Sequence, residues 1–562
     1  MAFETLSRRK ALRFWGWGYE DEGLTPEEDA GMRASAAAMS PGGLEEVPEP
    51  TEDEYDLPAP RFNAPNTLKK IFSATPYDRL THAYGKSMPD KLRLLMRQVP
   101  HAPDYVVFPK TDNDVQSILD WAADANVAVI PFGGGTSVCG GVETDVGDAY
   151  SGTVSLDMQY FDQILEIDRT SRAARIQAGL NGTELEGMLK PHGLTLRHFP
   201  QSFQFSTVGG WIATRAGGHY ASLYTHIDDF VESIRMVTPQ GILESRRLPG
   251  SGAGPSADRL MIGSEGMMGV ITESWLRLQD RPTYRASASI QFDKMKNATE
   301  GVRALSQSAL FPTNCRLLDP EEAKANGVGN GNTSLLVLGF ESADHPLDAW
   351  MNRALELVRD HGGKYDEEAV ARSLNPKAVE STEHTKGAAG EWRNAFLRMP
   401  YYGNVSARLG LIGDTFETAI TWDKFDGFYA ETNERMRKVL KEVTGAEANL
   451  SCRFTHIYPD GPAPYFTFRA LGTSTGDLQS VLDKWKEIKI AANETVTSLG
   501  GTVTHHHAVG RDHRPGYENQ TSSLFRKTLQ GAKHMVDPFG IMNPGVLIDP
   551  RGKEVGVRGI LK

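Results

Sequence analysis

Two apolar rhythms alternate along this chain. Asp104-Tyr105-Val106-Val107-Phe108-Pro109 is a short apolar run closed by a turn former, and it predicts a strand. Residues 112–126 carry Val115, Ile118, Leu119 and Ala122 on one helical face, which predicts a helix. Val127-Ala128-Val129-Ile130 is a second buried strand, which Pro131 is expected to stop because it has no N–H to give to a sheet. Further short strands are predicted over 154–157, 164–167 and 174–178, and a helix over 183–190 with Gly193 just past its end. Strands in small groups, without strict alternation with helices, predict an α+β fold. Spaced apolar residues over 66–100 (Leu68, Ile71, Phe72, Leu92, Leu94, Leu95) predict short helices. Residues 22–65 are acidic and rich in Pro, Ala and Gly, and predict a poorly ordered linker. The aromatic cluster Trp15, Trp17 and Tyr19 before it predicts a hydrophobic anchor packed on a domain.

The strand at 127–130 runs into Pro131-Phe132-Gly133-Gly134-Gly135-Thr136-Ser137. Three glycines let the backbone approach a ligand with no Cβ in the way, and bare amides in such a turn suit a phosphate. The stretch is neither G-x-G-x-x-G nor a P-loop, since no Gly-Lys-Ser/Thr follows. Two further clusters resemble it. One is Pro200-Gln201-Ser202-Phe203-Gln204-Phe205-Ser206-Thr207, continuing through Gly209, Gly210 and Thr214-Arg215-Ala216-Gly217. The other is Glu265-Gly266-Met267-Met268-Gly269-Val270-Ile271. Hydroxyls and glycines beside apolar residues can bond the edge of a heterocycle while covering its face.

A length of 562 residues predicts two or three domains, and the net charge of −12 argues against a nucleic-acid partner. Cys139, Cys315 and Cys452 are odd in number and far apart, which fits a reducing compartment and gives no zinc pattern. No apolar run approaches the roughly 20 residues of a membrane span. Ser7-Arg8-Arg9-Lys10 resembles a twin-arginine signal but lacks a hydrophobic stretch after it, so a cytoplasmic protein is expected.

His505-His506-His507 is the strongest chemical cluster. Val503-Thr504 before it suggests a strand, in which His505 and His507 would share one face and His506 the other. Such imidazoles can bind a phosphate, shuttle protons or hold a metal; a metal would need a third ligand, with His456 and His513 as candidates, and no metal is expected. Arg511, just after the cluster, is a candidate positive charge for a phosphate.

The three glycine clusters resemble the FAD domain of the vanillyl-alcohol oxidase-type (PCMH-type) flavoproteins. Within that superfamily, to which the ending Asp537-Pro-Phe-Gly-Ile-Met-Asn-Pro-Gly also belongs by resemblance, Trp15-Gly-Trp-Gly-Tyr, Phe416-Glu-Thr, Trp422-Asp423 and Thr504-His-His-His-Ala-Val-Gly are similar to the alkyldihydroxyacetonephosphate synthase family. The resemblance implies a two-subdomain FAD-binding domain over 99–282 and a cap domain of antiparallel sheet and helices over 283–515. A segment over 516–562 would return to the FAD domain, after an N-terminal segment (1–65) and a helical region (66–98). It implies FAD as cofactor, bound without need of a covalent histidyl bond. The implied reaction exchanges the acyl group of acyl-dihydroxyacetone phosphate for a fatty alcohol. It implies catalytic roles for Tyr465, Arg316 and the three histidines. A lipid-like phosphate substrate is expected, with a homodimer as the assembly. Contact with a membrane surface is compatible with such substrates, although no basic amphipathic helix argues for it.

Where the family carries an arginine implicated in handling the acyl carboxylate, this chain has Gly403; Arg398 and Arg408 lie nearby as substitutes. The other reading, a FAD-linked dehydrogenase or oxidase of a 2-hydroxy acid or alcohol, draws on that departure. A non-catalytic flavin-binding protein is a third class, disfavoured by the histidines.

Overall fold

The computed structural model describes residues 10–224, 226–374 and 388–555. Its strands, in chain order, are β1 (Phe72–Ser73), β2 (Tyr105–Val107), β3 (Val127–Phe132), β4 (Gly152–Asp157), β5 (Ile164–Asp168), β6 (Ala173–Gln177), β7 (Leu194–Thr195), β8 (Val231–Thr238) and β9 (Gly241–Glu244). There follow β10 (Val270–Arg277), β11 (Gln279–Asp280), β12 (Tyr284–Phe292), β13 (Asn314–Leu318), β14 (Ser334–Ser342), β15 (Leu411–Glu417), β16 (Asn449–Ile457) and β17 (Pro462–Leu471). A four-stranded sheet has the order β1-β2-β4-β3, with β2, β4 and β3 parallel. The connection from β2 to β3 is the helix Asp112–Ala125, whose Val115, Ile118, Leu119 and Ala122 are buried. A second, antiparallel sheet runs β5-β6-β10-β8-β9, and β7 pairs with β11 beside it.

The largest sheet is antiparallel, β12-β14-β13-β16-β17-β15. Period-two alternation assigns its faces. Phe466 and Phe468 of β17, with Phe416 of β15, join the apolar core made with the helices Trp422–Thr444 and Leu478–Ser498. The residues between them, Tyr465, Thr467 and Arg469, line a cavity on the other face. The architecture is thus α+β, with two smaller main sheets and a separate six-stranded sheet, the cap sheet of the expected plan.

Two expectations change. The strand does not stop at Pro131: β3 continues to Phe132. β3 is the edge of its sheet, and Pro131 is paired with Leu156 of β4, so an absent N–H is tolerated. On the other side of β3 the chain end returns, with Val129 bonding to Ile541 O and Asn543 N. Residues 22–65 are also not a linker throughout. Pro26–Met39 is a helix, capped by Thr25 and Glu28 in a reciprocal box with Pro26 in the first turn. Its Ala36 packs with Val405, Leu409 and Leu411. The Trp17 backbone is clasped by the Asn404 side chain, which accepts from Trp17 N and donates to Trp17 O, both at 2.9 Å. Trp17 and Tyr19 both pack on Phe205. Among the described residues, no helix is long and apolar enough to cross a membrane.

Candidate active site

A cavity of about 800 Å³ runs from the glycine turn after β3 to the face of the cap sheet. Pro131, Phe132, Gly133, Gly134, Gly135, Thr136 and Ser137 line one end. The amides of Gly134, Gly135, Thr136 and Ser137 donate to no protein acceptor among the described residues. Open amides beside hydroxyls suit a bound anion. The glycines also serve packing: a Cβ on Gly134 would sit 1.9 Å from Phe205 O, and one on Gly133 would sit 2.3 Å from Thr207 Oγ1. The cradle is narrow because this turn lies directly on the second cluster.

From that second cluster Pro200, Gln201, Ser202, Ser206, Thr207, Gly209, Gly210, Thr214, Ala216 and Gly217 line the cavity, as do Glu265, Gly266, Gly269, Val270 and Ile271 of the third. Glu265 is buried, accepts from the amides of Val509 and Gly510, and is pushed up by burial to about 7. The open amides, the glycine-lined walls and the apolar cover fit a dinucleotide such as FAD.

Several predicted residues lie elsewhere. Phe203 stacks beneath Trp211, Gln204 is exposed, and Phe205 faces the N-terminal aromatics. Arg215 pairs with Asp228, and Met267 and Met268 belong to the core behind the cavity. Arg511 is buried and clamps the carbonyls of Gly140 and Pro544, which makes it a tie between loops rather than a phosphate ligand. Arg408 pairs with Glu46 and Glu49, and Arg398 with Glu28, so both fasten the N-terminal segment. Neither reaches the cavity wall at Gly403. Each miss has one cause: a motif names a stretch of chain, while only part of that stretch faces the ligand.

The histidines are not in a strand. They follow a bent loop wrapped around one carboxylate. Glu417 Oε1 accepts from the amides of His505, His506 and His507 at 3.1, 2.7 and 2.6 Å, and from Thr504 Oγ1 at 2.9 Å. Its Oε2 pairs with His506 Nδ1. Burial alone would raise this carboxyl, but His506 foremost holds it well below the usual range. His506 and His507 line the cavity. His505 lies behind them, bonded to Tyr458 Oη at 2.9 Å and to His226 Nε2 at 3.3 Å. Alternation fails here because three successive amides turn inward to one acceptor.

Burial lowers His507 to about 4 and His513 to about 3, and pushes His456, His505 and His226 down as well. These rings are neutral at pH 7. The ligand atoms of His456, His505 and His506, and those of Glu417, His506 and His507, lie close enough to meet on one cation. Glu417 Oε1 is already shared among four donors, and its Oε2 with His506.

Tyr465 lies opposite. Its ring is 5.9 Å from His506 and 5.5 Å from His507. Burial lifts its phenol to about 12, against the pull of the Arg453 guanidinium stacked 4.1 Å from the ring centroid. Arg453 is itself buried and paired with Glu322 at 2.7 Å. Arg316, from β13, faces the same wall, and burial, helped by Arg453, lowers it to about 9. Arg453, His226 and the role of Glu417 escape sequence reasoning, because each reaches the site from a distant element with no local spacing to mark it.

A family model described as "FAD binding domain" matches residues 103–245, and one described as "FAD linked oxidases, C-terminal domain" matches 281–547. The chain is 30% identical to alkyldihydroxyacetonephosphate synthase of Dictyostelium discoideum, over 84% of this chain and 77% of that protein. It is 28% identical to that of Caenorhabditis elegans, over 96% of both. It is also 26% identical to a mitochondrial cytochrome D-lactate dehydrogenase of Arabidopsis thaliana, over 91% of this chain and 84% of that protein. A solved alkyldihydroxyacetonephosphate synthase structure superimposes with a TM-score of 0.77 at 24% identity, covering 96% of this chain and 98% of that one. The fold likeness extends to p-cresol methylhydroxylase, at a TM-score of 0.62, 14% identity and coverage of 94% and 98%. FAD is the cofactor, and the chain belongs to the alkyldihydroxyacetonephosphate synthase family.

Proposed function

We propose that this enzyme replaces the acyl group of acyl-dihydroxyacetone phosphate with a fatty alcohol, giving an ether. The observation that carries this is one continuous cavity. It begins at the anion-cradling turn, passes between Tyr465 and His506/His507, and continues along Thr467 and Arg469 toward an arm walled by Met32, Met39, Met399, Leu411 and Ile412. Such an arm suits an alkyl chain.

FAD bound at the glycine end supplies a ring that can accept and return an electron pair. The protein's groups do the rest. Arg316 and Arg453 form a buried cationic wall suited to the substrate phosphate. Tyr465 Oη keeps its proton at rest and serves as the acid/base beside the reacting carbons, the Arg453 guanidinium offsetting phenolate charge when the proton leaves. Neutral His507 relays that proton, and Glu417 fixes the loop that carries it. Burial of the site excludes the water that would compete with the alcohol.

The second reading is a FAD-linked dehydrogenase of a 2-hydroxy acid, favoured by glycine at position 403. The test is to incubate the holoenzyme with palmitoyl-dihydroxyacetone phosphate and hexadecanol, with no electron acceptor, and to look for the hexadecyl ether by mass spectrometry. Ether at catalytic turnover is expected. No ether, with flavin bleached by a hydroxy acid, would establish the dehydrogenase instead.

A further inference from the structure

The arm of the cavity holds a buried cation that nothing above has used. Lys91, on the helix Met88–Leu95, is 6% exposed and lines the cavity wall. Its Nζ donates to Gly403 O at 3.3 Å, a long bond for an ammonium. Among the described residues no carboxylate lies within ion-pair distance of it. Asp414 is the first anion to influence it, yet Asp414 is engaged by Trp485 Nε1 at 2.5 Å and by the Thr415 amide at 2.7 Å. Burial lowers the amine to about 8, so it is still charged at pH 7. A buried charge with one weak partner is costly unless an anion completes its surroundings.

Position 403 explains why the ammonium fits there. A Cβ on residue 403 would stand 2.7 Å from Lys91 Nζ, so a side chain at 403 and the lysine head compete for the same space. Glycine leaves that space to Lys91. Arg469, which also lines the arm, adds a second cation; its Nη2 lies 4.0 Å from Met399 Sδ and none of its nitrogens is ion-paired among the described residues. Met32, Met39, Met399, Leu411 and Ile412 give the arm its apolar side, with Ser35 and Ser406 between them. A cationic head beside these apolar side chains matches a fatty acid: carboxylate on the amine, chain along the arm. A phosphate dianion is better served by two guanidiniums, those of buried Arg316 and Arg453.

We infer that Lys91 is the binding residue for the fatty-acid carboxylate released in the exchange, with Arg469 as the second cation of that subsite. This rests on the reading under Proposed function. The bond between the dihydroxyacetone carbon and the ester oxygen breaks, and the oxygen keeps the electron pair. The carboxylate so formed meets the Lys91 ammonium. The alcohol oxygen takes its place on the carbon and releases its proton. No oxidant or reductant is consumed.

The test compares Lys91→Met, an apolar replacement of similar length, with Lys91→Arg in the holoenzyme. Palmitate and hexadecanol are each titrated against the flavin spectrum, and ether formation is measured alongside. Loss of a charge-assisted contact predicts that Lys91→Met weakens palmitate about 10- to 100-fold. Hexadecanol binding should stay within about twofold, and Lys91→Arg should recover palmitate binding. Gly403→Ala, which pushes a methyl against Nζ, should weaken palmitate in the same direction and guards against a folding defect in the lysine variant. Unchanged palmitate affinity in Lys91→Met, or equal loss of palmitate and hexadecanol, would overturn the assignment. Wild-type protein that binds palmitate through Lys91 but makes no ether would instead refute the proposed reaction and leave the carboxylate subsite standing.

Discussion

Glu417→Gln isolates what holds the histidine loop. The substitution keeps an oxygen where Oε1 accepts from three successive amides and the Thr504 hydroxyl, but removes the charge. Charge-assisted bonds are roughly twice as strong as neutral ones, so each contact weakens by about 0.5–1 kcal/mol. Four contacts give about 2–4 kcal/mol gross. Relief from burying a charge returns part of that, leaving a net loss of about 2 kcal/mol. If the loss falls on the loop in the transition state, kcat drops about 30-fold with little change in KM. The assay is steady-state ether formation, with FAD content and thermal midpoint measured on the same preparation. The carboxyl's depressed folded value adds a second signature. Its stabilisation is fully present above the unfolded value of about 4.3 and is lost as pH falls through the folded value, so the variant should be less sensitive than wild type to strong acid. A kcat within twofold of wild type, at unchanged FAD content and midpoint, would refute the idea that this carboxylate organises the histidines.

Tyr465→Phe is expected to keep FAD, because the ring and its stacking on Arg453 survive, and to lose ether formation by at least about 100-fold; this is read by visible spectrum and product assay. Gly134→Val should yield protein without a flavin spectrum, since its Cβ would meet Phe205 O at 1.9 Å and force the turn off the second cluster. Thermal midpoints should fall between about pH 6.5 and pH 4, because the buried histidines are depressed when folded and protonate first in the unfolded chain; His507→Asn should flatten part of that slope. Thr25→Ala removes the cap of the helix Pro26–Met39, at about 1 kcal/mol, and should raise the KM for long alcohols more than for the phosphate substrate.

The FAD half of the molecule was legible because its signals are local. Strand, glycine turn and helix periodicity occupy neighbouring residues, and β2, β3 and the helix between them lie where the apolar pattern places them. Pro131 misled because a sequence does not say which strand is an edge. The helix at 26–39 was hidden by bulk composition, although Thr25-Pro26-Glu27-Glu28 spells a capping box with proline in the first turn. The reacting end was only half legible. Tyr465 and the histidines stand out by type and resemblance. The groups that tune them arrive from elsewhere: Arg453 from the neighbouring strand, Glu417 from β15, and Lys91 from a helix more than 300 residues before Gly403 in the chain. Packing alone brings these together.

The most direct measurement is one anaerobic incubation of the yellow holoenzyme with palmitoyl-dihydroxyacetone phosphate and hexadecanol, following the flavin spectrum while ether and free palmitate are counted by mass spectrometry. The account predicts ether and palmitate in equal amounts over many turnovers, with the flavin oxidised at the end. Palmitate without ether, or a flavin left reduced in proportion to product, would contradict it.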